Sequence, residues 1–412
     1  MQYWTQTHVG LKRSNNEDAI LAEGDIGLFG VADGMGGHEA GEVASGEAVR
    51  AVAEHLSQHQ PLVARLHDPN DRDARDRLTT ILQEAVEGAN RSIHEVTKAK
   101  LGGNRMGTTF CGGLVSDRQA LIANVGDSRA YLTRGGRLYQ LTQDHTMIGE
   151  QMRRGLITEE QASRSPFRHV LLKALGTEPL VDPDIVPVEL CPGDRLLFCS
   201  DGVHGQVGWQ ELTELMTQPD GERSVHQMID QANRAGGIDN ATAVLIDIGD
   251  GTGEHLIDPQ AKIHAMWQLP LFQMLEYAEL IKVMSVTSTR AWRAGEVVFA
   301  EHEPGDEFLV VLQGEFAVVS GGQPLATVPA GAYVGELALV DGGPRSASVL
   351  AHTDSTALVI QRDDFYCLLR REPGLASKLL WHFGAHMATV IRDLNAKVRE
   401  ASRPPGRDPR TP

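Results

Sequence analysis

Four times in the first 248 residues of this 412-residue chain an apolar run stops on an aspartate: FGVADGMGG at Asp33, ANVGDSRAY at Asp127, LLFCSDGV at Asp201 and AGGIDNATAV at Asp239. Near the start, LKRSNNEDA adds Glu17 and Asp18. An acid at the lip of a buried strand carries a desolvation cost unless a cation or several donors compensate it. Taken singly, Asp239-Asn240 reads as a turn and Asp127-Ser128 as a strand-end cap. Taken together, with few basic residues beside them, they call for a fold that gathers strand ends around a shared cation site.

The stretch after Asp33, DGMGGHEAGEV, is crowded with glycine. Glycine costs conformational entropy, so such a cluster marks a place where backbone approaches something closely, a phosphate or a metal ion. Carboxylates and carbonyls without His or Cys select hard octahedral ions, magnesium or manganese. Two such ions about 3.5–4 Å apart activate water and clamp an oxygen-bearing transition state, the chemistry of phosphoester hydrolysis. Arg13, just before the acids, offers a cationic fork for a phosphate, or a simple surface pair with Glu17.

Composition narrows the class. Acidic residues outnumber basic ones 55 to 38, a formal net charge of −17, so no basic surplus exists for binding nucleic acid. Cys111, Cys191, Cys199 and Cys367 stand far apart with no CxxC pair, which suggests neither a thiolate zinc site nor a disulfide framework and suits a reducing, cytoplasmic compartment. The N-terminus lacks the apolar core of a signal peptide, and no later run reaches the length of a membrane span.

Helical spacing of Val43, Val49, Val52 and Leu56 predicts a core-facing helix over residues 39–59, and Leu78, Ile81, Leu82, Ala85, Val86, Ala89 and Ile93 predict another over 77–98. Short β-rich segments follow, with Arg134-Gly135-Gly136-Arg137 as a tight hairpin turn. Clustered helices and strands, rather than alternating βαβ units, indicate an α+β sandwich. Residues 1–248 form the first expected domain, 249–268 a polar linker, 269–400 a second module and 401–412 a proline-rich, disordered tail. The second module opens with a helix around LPLFQMLEYAELIKVMS, continues in short strands divided by glycine-marked turns, and closes with a helical stretch over 363–400.

RSNNEDA, VADGMGG, GTT, VGDSRAY, LTQDHT, LLFCSDGV and DNATAV occur in the order seen in metal-dependent protein phosphatases of type 2C, and the DGMGGH form resembles the bacterial branch. The resemblance covers residues 1–248 and implies an αββα sandwich of two antiparallel sheets flanked by helices. It further implies that Asp33 bridges two Mn2+ or Mg2+ ions and that the Gly34 carbonyl ligates one. Asp201 and Asp239 would complete the second ion's shell, Glu17 and Asp18 would act through water, and Asp127 with Asp201 would hold a weaker third ion. Arg13 would bind the substrate phosphate. The implied reaction is in-line hydrolysis of phosphoserine or phosphothreonine without a phosphoenzyme, under a variable flap at 149–176. Eukaryotic relatives place a histidine, proposed as general acid, where this chain has Met35; His38 lies nearby in sequence and His145 lies in DHT, neither is established as a substitute, and the proton donor is unassigned.

GELALVDGGPRSASV, residues 335–349, sets Glu336 and Arg345 around a tight loop. Glutamate accepts hydrogen bonds from sugar hydroxyls, and arginine with exposed backbone N–H groups holds a phosphate, so the pair suits a ribose phosphate; an internal ion pair pinning the loop is the other reading. The segment resembles the phosphate-binding cassette of cyclic-nucleotide-binding domains. That implies a β-roll with flanking helices, Glu336 on the ribose 2′-hydroxyl, Arg345 on the cyclic phosphate, and Gly335, Leu337, Ala338, Ser346 and Ala347 around them. Cyclic AMP is favoured over cyclic GMP, and base contacts would come from the helix after Asp363. DNA binding is rejected, since no helix-turn-helix follows that helix. The expectation is a serine/threonine phosphatase regulated by a cyclic nucleotide, acting on phosphoproteins or a serine/threonine kinase, with no nucleic-acid or membrane partner. The alternatives are a silent phosphatase-like scaffold that recruits partners and a nucleotide domain that only dimerises.

Overall fold

The computed structural model describes the chain apart from residues 37–39, 69–70, 101–105, 155, 159–160, 163–164, 166, 168–169, 250–258, 337–341 and 402–412. His38, Leu337, Ala338 and the proline-rich tail therefore lie outside the described residues. The chain divides into two compact units, Met1–Pro259 and Gln260–Pro412.

In the first unit, strands β1 (Gln2–His8), β2 (Asp18–Glu23), β3 (Leu28–Met35), β4 (Gly107–Thr108), β5 (Phe110–Val115), β6 (Gln119–Val125), β7 (Arg129–Arg134), β8 (Arg137–Gln140), β9 (Asp184–Glu189), β10 (Arg195–Cys199) and β11 (Ala241–Asp247) build two sheets. One runs β1-β11-β10-β7-β8 and the other β2-β3-β5-β6-β9, with β4 paired to β3. Every pairing is antiparallel; β2 and β3, for example, set Asp18 opposite Asp33. Helices α1 (Ala40–Ser57), α2 (Gln60–Val63) and α3 (Arg72–Lys100) accompany the β3-containing sheet. After α4 (Met147–Arg153), helices α5 (Asp201–His204), α6 (Trp209–Met216) and α7 (Gly221–Arg234) accompany the other sheet.

Side-chain alternation makes this an αββα sandwich. Leu28 and Ala32 of β3 pack with Ala44, Ala48, Val52 and Leu56 of α1 and Leu78, Leu82, Val86 and Ile93 of α3. Leu197, Ala243 and Leu245 pack with Leu212, Met216, Val225 and Met228 of α6 and α7. Successive strand residues face opposite ways, so Phe29, Val31, Phe198, Val244 and Ile246, all fully buried, are left to fill the layer between the sheets. Strands covered on both faces read as continuous apolar runs, which is why their polar residues appear only at the ends.

One expected core position is corrected: Val43 is 45 % exposed. The inward face of α1 is instead Gly41, Ala44, Ser45, Ala48, Val52 and Leu56, a small-residue stripe that lets the helix sit close to β3 and α3. The Arg134–Arg137 hairpin is formed, with Gly135 and Gly136 at φ 56° and 73°, as a two-residue turn of the mirror-image type requires. Within the stretch expected as linker, Pro259–Trp267 form helix α8.

In the second unit, α9 (Tyr277–Ser285) precedes β12 (Thr287–Trp292), β13 (Val297–Phe299), β14 (Glu307–Gln313), β15 (Glu315–Ser320), β16 (Gln323–Pro329), β17 (Tyr333–Val334), β18 (Ser348–Ala351) and β19 (Ser355–Gln361). They form two four-stranded antiparallel sheets, β12-β19-β14-β17 and β13-β18-β15-β16. Trp292, Phe299, Leu309, Phe316, Val349 and Val359 form the core of this roll. The closing helical stretch is two helices, α10 (Arg362–Arg371) and α11 (Pro373–Ala401). Glu372 is non-helical because the residue before a proline is pushed out of the helical region. The opening helix is likewise shorter than expected, beginning at Tyr277, where Glu276 and Glu279 form a capping box.

Candidate metal centre and anion pocket

The strand order brings the acids to one end of the sandwich. Asp33 nears the end of β3, Asp18 begins β2, Asp127 lies in the turn between β6 and β7, Asp201 follows β10, and Asp239 precedes β11. Burial pushes the Asp33 carboxyl well above the usual range, and Asp18, Asp201, Asp127 and Asp239 each add to the shift. Burial raises Asp18 to about 7, with Asp201 and Asp239 adding to it against hydrogen bonds from Thr242 and Ser200. Burial, then Asp201 and Asp144, raises Asp127 to about 7. Five carboxylates from five separate segments thus share one electrostatic field, in which Asp33, Asp18 and Asp127 are made harder to ionise.

The backbone around them is pinned. The Asp33 N–H donates to Thr109 Oγ1 at 3.0 Å, and its carbonyl accepts from Thr109 N at 2.8 Å and Thr108 Oγ1 at 2.9 Å. Asp18 Oδ2 accepts from Ser200 Oγ at 2.8 Å and Thr242 Oγ1 at 2.6 Å. Its other oxygen, Oδ1, is buried with no hydrogen-bond partner among the described residues. Gly34 is glycine because a Cβ there would lie 2.2 Å from the Gly41 carbonyl oxygen and 2.5 Å from that of Glu17. At Gly41 a Cβ would meet Glu17 Oε2 at 2.5 Å. The glycine crowding therefore serves close backbone packing around the acids.

Arg13 Nη2 bonds Asp239 Oδ2 at 2.8 Å while its side chain stays 51 % exposed. Burial works against its charge, but Asp239, with Glu17 and Asp33, outweighs that and raises its pKa. Arg13 thus stands beside Asp239 rather than in a pair with Glu17 alone.

Several residues that hold the site were not singled out from sequence. Asn240 accepts from Glu17 N at 2.8 Å and donates to the Val9 and Asn15 carbonyls, both at 2.9 Å, fastening the loop that carries Arg13 and Glu17. Ser200, Thr242 and Thr109 act in the same way, and their signal was their place inside the motifs SDG, DNAT and GTT. His145 is 4 % exposed, accepts from Gly126 N at 3.2 Å and lies 3.3 Å from Asp184, so it supports the Asp127 turn. Met35, at the end of β3, is a thioether with no proton to give.

The donor set fits hard divalent cations: oxygen only, charge in excess, and a buried orphan oxygen on Asp18. Among the described residues no three His, Cys, Asp or Glu side chains are grouped so as to hold an ion unaided. Such a set suits ions that keep several of their own waters.

In the second unit the imbalance has the opposite sign. Arg345 is 8 % exposed, and its Nη1 has no hydrogen-bond partner among the described residues. Its guanidinium carbon sits 3.5 Å from the Phe299 ring centre. Burial lowers its pKa against Asp306 and Glu307. The main chain is fixed by Arg345 N to the Glu303 carbonyl at 2.7 Å and His302 N to the Arg345 carbonyl at 2.9 Å. Gly335, at φ 89°, leaves room for Arg345: a Cβ would stand 2.8 Å from Nη1. Ala347 is buried and Ser346 exposed. Among the described residues no ion pair joins Glu336 to Arg345, so the pinned-loop reading finds no support. Glu336 lines a narrow crevice with Phe308, Tyr333 and Phe383, the last from α11, the region expected to meet the base.

Residues 8–256 match the family model of protein phosphatase 2C, and residues 289–372 match that of the cyclic nucleotide-binding domain. The chain is 36 % identical over 249 residues to the serine/threonine phosphatase stp of Listeria monocytogenes, covering 59 % of this chain and 94 % of that one. It is 37 % identical over 254 residues to the serine/threonine protein phosphatase PstP of Mycobacterium tuberculosis, covering 61 % of this chain but 45 % of PstP. A crystal structure of the PstP catalytic domain in complex with two manganese ions superposes with a TM-score of 0.51 at 34 % identity, over 60 % of this chain and 97 % of that domain. No helix among the described residues is long and apolar enough to cross a membrane.

Proposed function

The chain belongs to the protein phosphatase 2C family of serine/threonine phosphatases and carries a cyclic nucleotide-binding domain, and from that premise we propose a metal-dependent phosphoprotein phosphatase regulated through its C-terminal domain. The observation that carries the reading is the gathering of Asp18, Asp33, Asp127, Asp201 and Asp239 into one field with Arg13 as the adjoining cation. Asp33, Asp201 and Asp239 with the Gly34 carbonyl would hold two Mn2+ or Mg2+ ions, Glu17 and Asp18 through water, and Asp127 with Asp201 a third. Bound there, the ions supply an activated water and neutralise developing charge on the phosphoryl oxygens.

The chain's own residues do the remaining work. Arg13 orients the phosphate with guanidinium donors beyond the one that bonds Asp239. Ser200 and Thr242 aim Asp18, and Thr108 and Thr109 hold the Asp33 main chain still, so that little reorganisation accompanies the reaction. Phosphoserine and phosphothreonine proteins are the substrate class, with a serine/threonine kinase or its targets as the partner. Four free cysteines fit a cytoplasmic setting.

Arg345 would receive the cyclic phosphate and Glu336 the ribose hydroxyl, with cyclic AMP as the favoured nucleotide. Regulation requires that the nucleotide bind two states of the enzyme with different affinity. The test is hydrolysis of a phosphothreonine peptide by the full chain with Mn2+, with and without cyclic AMP, using Asp201→Ala as blank. Turnover lost in the blank and altered by cyclic AMP is expected. No turnover favours the scaffold alternative, and turnover indifferent to saturating nucleotide removes the regulatory half.

A further inference from the structure

The turn that carries Asp127 is held at each of its residues. Gly126 donates its N–H to His145 Nδ1 at 3.2 Å and accepts from His145 N at 2.9 Å. Ser128 Oγ lies 2.7 Å from Thr109 Oγ1, the hydroxyl that accepts from Asp33 N at 3.0 Å. Asp127 itself accepts, at its main-chain carbonyl, from His204 Nε2 at 2.9 Å. A carbonyl only accepts, so the Nε2 of His204 carries the proton.

His204 is the last residue of α5, the single helical turn that Asp201 begins. One turn of helix and one hydrogen bond therefore tie Asp201 to Asp127 across the gap between β10 and the β6–β7 turn. No other side chain among the described residues donates to Asp127, so its carboxylate inherits its position from the main chain that His204 holds. Arg129 forks onto both oxygens of Asp144 at 2.8 and 2.7 Å, a charged pair whose field reaches the imidazole. Gly202 keeps α5 close to the acids, since a Cβ there would lie inside the Asn240 carbonyl.

We propose that His204 is a positioning residue that sets the spacing of the Asp127 and Asp201 carboxylates and thereby governs how tightly the weakest-held divalent ion of the centre binds. The proposal rests on the ligand roles given above to Asp127 and Asp201. It concerns a residue that touches neither substrate nor ion and acts through a backbone carbonyl.

The test is direct Mn2+ binding to the full chain, by calorimetric titration and by electron paramagnetic resonance of free Mn2+. It compares the parent with His204→Phe, His204→Gln and Asp127→Asn. Phenylalanine keeps the ring and loses the donor; glutamine keeps an N–H at similar reach. His204→Phe should weaken the weakest binding step about tenfold or more and leave the tighter steps within about twofold, as loss of a ligand-orienting hydrogen bond does. His204→Gln should stay within about threefold of the parent, since the donor is kept. Identical isotherms for parent and His204→Phe, equal weakening of every step, indistinguishable Phe and Gln variants, or failure of both to fold would each overturn the proposal. Asp127→Asn separates the two layers. If it leaves the weakest step intact, the ligand role of Asp127 falls; if it abolishes that step while His204→Phe does not, only the role of His204 falls.

Discussion

The two units carry uncompensated charge of opposite sign, and each imbalance names its ligand. At the lip of the sandwich burial and neighbouring carboxylates push the pKa of Asp33, Asp18 and Asp127 upward, with Arg13 beside Asp239. In the roll the Arg345 guanidinium is buried with a donor unanswered and a phenyl ring beneath it. A protein keeps such charges only where something outside the chain answers them, because an unpaired buried charge is costly. Excess carboxylate calls for cations, and a lone buried guanidinium for an anion with planar or tetrahedral oxygens. The difference also separates chemistry from sensing. The first site gathers carboxylates from many elements, whereas the second sets one buried guanidinium against a phenyl ring, with Asp306 and Glu307 acting on it from nearby.

Removing one charge from each site should have the largest effects. Asp33→Asn should lower phosphopeptide turnover by about three decades, roughly 4 kcal/mol of barrier, while relieving like-charge repulsion. Its thermal midpoint in EDTA at pH 8 should then rise, by about 2–4 °C if the relief is near 1 kcal/mol. A midpoint that falls would mean that the acids are not repelling one another. Arg345→Met should weaken cyclic AMP binding about 100-fold or more, in line with the loss of a desolvated charge partner, yet leave the nucleotide-free protein as stable or more so. Equilibrium dialysis with labelled nucleotide and a thermal scan check both halves.

The next effect is on pH. Asp18 and Asp127 titrate near 7 in the fold, far above their unfolded values near 4. Between those limits the folded state binds more protons than the unfolded one, so stability falls as pH rises from about 4 through about 7. Metal-free protein should therefore melt higher at pH 5 than at pH 8, and Mn2+ should restore the loss at pH 8, because ligands must be ionised to bind. A flat midpoint between pH 4 and 8 in EDTA would contradict the burial of these acids. The smallest effect is Gly335→Ala, where φ of 89° and the 2.8 Å approach to Arg345 act together. It should cost about 1–3 kcal/mol of local stability and weaken cyclic AMP without altering Mn2+ affinity, measured on the same samples.

Much of this was legible in the chain itself. The acids announce themselves because each ends an apolar run, and a buried strand tolerates polar residues only where it leaves the core. Gly135-Gly136 declares its turn because only glycine enters two positive-φ positions at no cost. Arg345 beside a glycine-bearing loop is visible for the same local reason. What needed the tertiary structure is everything that depends on which residues meet. Val43 lies at helical spacing, yet α1 presents its smaller residues inward, since the distance to β3 and α3 selects volume as well as polarity. The break at Glu372 follows from a local rule, but its place in one continuous apolar pattern hid it. Asn240 reads as a turn residue until its amide is seen gripping Val9, Asn15 and Glu17. His204 carries no signal at all, because a single hydrogen bond to a carbonyl 77 positions away leaves no periodicity or motif. Sequence determined the kinds of chemistry and the strand ends that carry them, since those obey local burial and backbone rules. Only the fold decided which side chains hold the acids apart, because contacts between distant segments are set by packing.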